Sequence, residues 1–356
     1  MPIPTVPNSR CRPDSPKDLL RIRSEFFQKI RSFFVERDFL EVETPILIPN
    51  ADPSPHLDSF RTEFRAGPQF SEDTPRRTLF LQTSPEFMMK RLVTHGYERI
   101  FQICKFFRNG EVSPLHNPEF TGLEWYAVGF DYHEIMRLTE GMLLALWPEK
   151  QLEYQGKTLD LTTPWERLTV FDAIQQYAGV TLTSESTRDD LIKACQTLKC
   201  PISEDDAWDD LFFKIFLTYV EPKLGIERPV FLMDYPIQMA ALARAKPGVP
   251  GIAERVELYL GGLELSNGYS ELTDPVEQRK RWEEEAEYRR TNGETHVCPP
   301  DPGLLSALEQ GMPACTGVAV GLDRLLMLYA DAETLDDILP FPVSSYTFLE
   351  DQLKSS

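Results

Sequence analysis

Residues 106–126 read FFRNGEVSPLHNPEFTGLEWY. An apolar strand closes on Arg108, a polar loop containing Pro114 follows, and NPEFTGLEWY returns as a second strand. An arginine so placed can grip a phosphate as a fork of donors, and an aromatic residue on the returning strand can stack under a purine. Taken alone, a hairpin with a surface arginine is the simpler account.

Further along, residues 254–274 read ERVELYLGGLELSNGYSELTD. Gly261 and Gly262 suit a two-residue turn, which places Leu260 opposite Leu263 and Tyr259 opposite Glu264. Glu257 then lies diagonally beside Glu264 on the same face. Two carboxylates at that separation repel unless a cation neutralises them, so a hard metal ion carried by a nucleotide is one reading, and two solvated glutamates the other. In residues 317–328, GVAVGLDRLLML, Gly317 and Gly321 allow close backbone approach, and Arg324 falls in the first turn of a helix. A cation there opposes the helix dipole and wants an anionic partner, either Asp323, another acidic neighbour or a bound triphosphate.

The 356 residues carry 37 Lys and Arg against 56 Asp and Glu, a net charge of −19. That field repels phosphate backbones and disfavours a general nucleic-acid binder. At 42% hydrophobic residues the chain can bury a sizeable core in one large domain or two smaller ones. Its six cysteines form no Cys-x-x-Cys pair and its five histidines show no ligand spacing, so a structural zinc site is not expected. The start MPIPTVPNSRCRPDSP has Pro and Arg where a secretory signal needs an apolar stretch, and no run approaches the roughly 18 apolar residues of a membrane span. A soluble cytoplasmic protein with reduced thiols is expected.

Residues 1–14 read as a flexible leader. A helix start follows, with Ser15 as N-cap, Pro16 at the first helical position, and Leu19, Ile22, Phe26, Ile30, Phe33 and Phe34 at helical spacing. Strand-like runs occur in RTLFLQTSPEF, ERIFQICKFFRNG and EFTGLEWYAVGF, and helical pattern returns over His133–Trp147. Residues 181–228 read as a helical insertion, and PVEQRKRWEEEAEYRR as a charged helix. Strands in groups, flanked by helices, indicate an α+β domain over 15–356 with a mainly antiparallel sheet. Cys104 and Cys315 lie in apolar runs and are assigned no chemistry.

With FLEVETPIL and Pro45 as the first motif, FRNGE…HNPEFTGLEWY as the second and GVAVGLDR as the third, the chain resembles the class II aminoacyl-tRNA synthetases. TSPEFMMKRL, HNPEFTGLEWY and LELSNGYSELTD resemble the lysine branch, and the match runs from about residue 16 to 341. Lysyl-tRNA synthetases carry an N-terminal anticodon-reading β-barrel, for which there is no room here. The chain therefore most resembles the stand-alone elongation factor P lysyltransferases, which lysylate a protein side chain, and the acidic charge agrees.

The resemblance implies ATP, Mg2+ and lysine or (R)-β-lysine as ligands, elongation factor P as acceptor, no tRNA or membrane partner, and a homodimer through the first helix and FLEVETPIL. It gives Arg108 the α-phosphate, Phe120 the adenine, and Arg324 the other face of the base or the γ-phosphate. Arg108 and Arg324 are the catalytic pair. His116 and Asn117 help to bind the nucleotide, with Asn109, Gly110, Leu265 and Gly321 in the same subsite, and Glu257 and Glu264 hold Mg2+. Glu86 of the segment Ser84-Pro85-Glu86 takes the α-amino group, Glu124, Tyr126 and Glu271 the ε-amino end, and Asn267 lies near the carboxylate. Ala319 stands where lysyl-tRNA synthetases generally have Gly, as in the protein-modifying paralogues, which suggests a pocket shaped for β-lysine. Gly110 stands where the second motif usually has Glu, with Glu111 following. The implied reaction is adenylation of the amino acid, then transfer to a lysine ε-amine. Alternatives are an adenylating enzyme acting on tRNA or a small molecule, and a non-catalytic nucleotide-binding regulator of translation.

Overall fold

The apolar stripe read from the sequence becomes α1 (Lys17–Val35), which buries Leu19, Phe26, Ile30, Phe33 and Phe34. The computed structural model describes residues 17–345, apart from 55–56, 66, 68–74, 241 and 292–300. The leader, the Ser15 cap and Pro16 lie outside the described residues.

Eight strands form the central sheet: β1 (Leu40–Glu41), and, after the small sheet of β2 (Leu47–Ile48), β3 (Arg61–Arg65) and β4 (Arg76–Leu81), β5 (Arg99–Phe107) and β6 (Glu119–Val128). The hairpin β7 (Gln151–Tyr154) and β8 (Lys157–Asp160) precedes β9 (Glu166–Thr169), β10 (Val230–Pro236), β11 (Ile252–Leu260), β12 (Leu263–Ser270) and β13 (Cys315–Gly321). Their order is β1-β5-β6-β13-β12-β11-β10-β9, antiparallel except for the pairs at the two edges. The structure is thus the expected α+β arrangement. RTLFLQTSPEF divides differently from its strand-like reading: β4 ends at Leu81, and α2 (Glu86–Thr94) begins at the Glu after Pro85. Pro85 has no N–H to donate, which suits it to a helix entrance.

One face of the sheet packs on α1, α3 (Tyr132–Leu146) and, at the far end of the chain, a helix over Leu322–Tyr329. Phe34 is the hub: its ring stacks on Phe101 at 5.0 Å and meets Trp125 at 5.6 Å. Each such fully buried side chain contributes about 1.5–3 kcal/mol. Asp131 caps α3 in a box with Glu134. Helices α4 (Val170–Ala178), α5 (Arg188–Leu198) and α6 (Trp208–Ile215) share a second core with β9 and β10, including Ile174, Leu191, Phe212 and Leu232. Against the other face of the main sheet lie α2, α7 (Pro275–Thr291) and α8 (Pro302–Gly311), where Phe87 meets Trp282 at 5.1 Å. The last α-helix among the described residues, α9 (Leu322–Tyr329), has Gly321 as its N-cap. No helix among the described residues is long and apolar enough to cross a membrane.

Candidate active site

Strand register assembles the site from distant segments. Glu124 on β6 pairs with Ala319 on β13, Ala319 with Asn267 on β12, and Asn267 with Glu257 on β11. Two residues along, Tyr126 pairs with Gly317, Gly317 with Tyr269, and Tyr269 with Arg255. Cross-strand partners share a face, so these two rows form the floor of one cavity of about 590 Å³. Ser84, Glu86, Arg108, His116, Asn117, Phe120, Glu264, Leu265, Glu271, Gly321 and Arg324 also line it.

At one end stand cations and an aromatic face. Arg108 leaves β5, its guanidinium 5.3 Å from the Phe120 ring, and that ring stacks on Phe106 at 5.3 Å. Among the described residues, Arg108 Nε is buried without a hydrogen-bond partner, and the guanidinium lies 3.7 Å from Glu111. Gly110 turns the loop at φ +82°, and Glu111, one residue beyond the usual motif position, lines the cavity. Arg324 lies 2.6 Å from His116 Nε2, donates to the Glu264 carbonyl at 3.0 Å, and reaches the Glu264 carboxylate at 3.7 Å. Since arginine only donates, His116 Nε2 accepts and its Nδ1–H faces Ser113 Oγ at 2.8 Å. Burial, then the neighbouring Arg324, holds that imidazole below its ordinary pKa. Asp323 is not the partner of Arg324: it pairs with Arg23 at 2.7 Å and accepts the Thr121 N–H at 2.7 Å.

The expected turn forms, with Gly261 and Gly262 at φ +63° and +78°, and Leu260 faces Leu263 and Tyr259 faces Glu264. A bulge then shifts the register between Leu258 and Tyr259, so Glu257 pairs with Asn267. Both of its oxygens are engaged: Arg255 donates to Oε1 at 2.7 Å, Tyr259 to Oε2 at 2.8 Å, and Tyr235 also to Oε2. Glu264 keeps oxygens available, and enclosure in the cavity, then Glu257, pushes its pKa up to about 7. Glu264, with Glu257 beside it, would supply the kind of hard oxygen donor that Mg2+ takes, and the metal would neutralise phosphate charge there. Among the described residues no group of three or more His, Cys, Asp or Glu forms a metal cage.

The opposite end is acidic and buried. Glu124 and Glu271 are each 2% exposed. Tyr126 donates to Glu124 Oε1 at 2.8 Å, while Glu124 Oε2 and Glu271 Oε1 have no hydrogen-bond partner among the described residues. Burial, then Glu86, raises Glu124 well above the carboxylate range, and burial pushes Glu271 up to about 8 although Lys90 opposes it. Tyr126 is raised far above 10 by burial and Glu124 and remains a donor. A Cβ on Gly317 would come 2.3 Å from Glu271 Oε1 and 2.4 Å from the Tyr126 ring, so that position requires glycine. At Gly321 a Cβ meets no protein atom closer than 3.9 Å, and close approach does not explain that glycine.

Three expected residues stand outside the lining. Asn109 turns to Asp58, donating at 2.6 Å, Gly110 forms the exposed bend, and Pro85 caps α2. Asn117 reaches the lining, but its amide ties the loop, donating to the Glu119 carbonyl and accepting from the Val343 N–H. Arg255, Lys90, Tyr235, Tyr259 and Tyr269 contribute to the site without having been singled out. Alternation in ERVELYL places Arg255, Glu257 and Tyr259 on one face, and Lys90 follows Glu86 by one helical turn, so both were legible. Tyr235 had no such signal. Burial raises Cys104 to about 12 and Cys315 further, consistent with unreactive thiols.

Residues 9–345 match the family of class II tRNA synthetases for D, K and N. The chain is 35% identical over 335 residues to a lysine–tRNA ligase of Nostoc punctiforme, an alignment covering 92% of this chain and 57% of that one. It thus spans a little over half the length of those relatives. To an elongation factor P–(R)-beta-lysine ligase of Vibrio atlanticus it is 39% identical over 337 residues, 94% of this chain and 98% of that one. A protein of the same name from Haemophilus influenzae is 40% identical over 332 residues, 92% and 96% of the two chains.

Proposed function

The chain belongs to the class II tRNA synthetases of the D, K and N group, and from that membership we propose that it activates lysine or (R)-β-lysine with ATP and transfers it to a lysine ε-amine of elongation factor P. The observation that carries this reading is the polarity of a single cavity, with Arg108, Arg324 and Phe120 at one end and Glu86, Glu124 and Glu271 at the other. ATP fits the first end, and an amino acid with two ammonium groups fits the second. An uncharged side chain would leave buried carboxylates unpaired, at a cost of several kcal/mol.

In the first step the amino-acid carboxylate attacks the α-phosphorus and pyrophosphate leaves. Arg108 holds the α-phosphate and Arg324 the nucleotide beyond it, both absorbing charge that develops in the transition state. Mg2+ held by Glu264, with Glu257 beside it, would neutralise the phosphates. In the second step a neutral lysine amine of the acceptor attacks the activated carbonyl, AMP leaves and an amide forms. Ala319, between Glu124 and Asn267, puts a methyl group in the amino-acid pocket and is the residue we assign to choosing between lysine isomers.

The relatives of matching length are named for elongation factor P, and the net charge of −19 disfavours tRNA as acceptor. A homodimer is supported by exposed Val35, Leu40, Ile46 and Leu47 at the end of α1 and in the segment after it. The cytoplasm is the proposed compartment. The deciding experiment is ATP–pyrophosphate exchange without tRNA, with each of the twenty amino acids and (R)-β-lysine offered separately. Exchange with lysine or β-lysine alone is expected, and exchange with neither would overturn the proposal.

A further inference from the structure

Helix α2 carries Glu86 in its first turn and Lys90 one turn later. Lys90 is 1% exposed, and its Nζ lies 2.6 Å from Glu86 Oε1 and 2.6 Å from Glu271 Oε2. Tyr269 adds a hydrogen bond to the same Glu86 oxygen at 2.8 Å. The remaining carboxylate, Glu124, accepts from the Tyr126 hydroxyl, its one hydrogen bond among the described residues. Each of the three acids therefore uses one oxygen within the protein. Glu271 Oε1 and Glu124 Oε2 are left buried in the cavity wall, unpartnered among the described residues.

We propose that Lys90 is a positioning residue of the amino-acid pocket: its ammonium ties Glu86 to Glu271, fixes the two ends of the pocket relative to each other, and leaves two buried carboxyl oxygens for the ligand's ammonium groups to meet. This rests on the lysine reading above and extends it. Three carboxyl groups against one lysine need two further cations before all three can ionise, which a diamino acid supplies and a monoamino acid does not. Lys90 is thus a specificity determinant that does not touch the reacting atoms. Without it, the three acids would face the ligand uncompensated, and a carboxyl would keep a proton in place of an ammonium partner.

The titratable groups facing Lys90 and Glu271 are Glu86 on α2, Glu124 and Tyr126 on β6, Tyr269 on β12, Cys315 on β13 and Asp52 in the loop before β3. Both tyrosines and the thiol are raised far above neutrality, while Glu271 is pushed up to about 8 and Asp52 to about 6. Glu271, pushed up to about 8 even beside Lys90, would rise further without it.

The test is the KM for lysine in ATP–pyrophosphate exchange between pH 7 and 9, for the parent, Lys90→Met and Lys90→Arg. In Lys90→Met the KM should exceed the parent's by at least about tenfold at pH 7, with the KM for ATP unchanged, and the excess should shrink toward pH 9 as Glu271 ionises. Lys90→Arg keeps the charge and should stay within about threefold of the parent. A Lys90→Met excess that does not vary with pH, or no excess, overturns the inference while leaving the lysine reading intact. Should Lys90→Met lack a cooperative melting transition, Lys90→Arg decides: a parent-like KM supports the inference, and a tenfold rise at unchanged melting temperature overturns it. A parent inactive with both lysine isomers overturns the lysine reading, and this inference with it.

Discussion

Arg108 follows the last residue of β5 with a buried, unpartnered Nε, an open place for an anion. Arg108→Ala should lower ATP–pyrophosphate exchange by about 10²–10³-fold, the usual loss for one preorganised donor group, and full activity would remove its phosphate role. Gly317 gives a different kind of prediction. Its absent Cβ makes room for Glu271 and Tyr126, so Gly317→Ala should destabilise by about 1–3 kcal/mol and raise the lysine KM, read from urea midpoints and exchange kinetics. On the proposed function, the isomer choice is assigned to Ala319. Ala319→Gly deletes one methyl beside Glu124 and Asn267 and should shift preference from (R)-β-lysine toward α-lysine by about tenfold, measured by titrating the two isomers against each other. The residue types were legible in the sequence, because arginine forks, paired acids and glycines at bends each have one main physical use. The partners were less so. Nothing local says that Asp323 serves Arg23 or that Asn117 ties a loop, since those partners lie far away along the chain.

Elements were read best where a local pattern suffices. Apolar spacing in α1, the Gly261-Gly262 turn and the helix after Gly321 all arise from interactions between near neighbours. The bulge in the β11–β12 hairpin did not show, because it depends on how β12 must also meet β13. It moves the partner of Glu257 by one residue, yet Glu257 and Glu264 remain close enough to raise Glu264. The α3 cap offers a clean test of element stability. Asp131 accepts from His133 and Glu134 N–H groups, so Asp131→Ala should cost about 1 kcal/mol, seen as a lower urea midpoint with exchange kinetics unchanged.

For the whole molecule, the cavity concentrates acids whose folded pKa values are raised, mainly by burial: Asp52 to about 6, Glu264 to about 7, and Glu271 and Glu285 to about 8. Their ordinary values are 3.8 for Asp and 4.5 for Glu. Over the interval between, the folded protein holds more protons than the unfolded chain, so stability is highest below the ordinary values and falls as pH rises through 6 to 8. The melting temperature of the free protein should therefore drop between pH 6 and 8. Lysine with Mg-ATP should flatten that slope by supplying the missing cations, and a slope unaffected by ligand would mean that these acids do not meet it. At the same scale, sedimentation should show a dimer that Leu47→Glu converts to monomer, since Leu47 is 42% exposed in the single chain.

By itself the sequence determined the class of sheet and the helix and hairpin turns, because these depend on spacing along a few consecutive residues, and its resemblance to known motifs gave the family and the residues expected at the site. The tertiary structure decided which of them meet. The row Glu124, Ala319, Asn267, Glu257 exists only through the register of four strands drawn from distant parts of the chain. The Lys90 bridge to Glu271 needs α2 seated against the end of β12. Register and ion pairing between remote segments follow from how the entire core packs, and no local pattern encodes them.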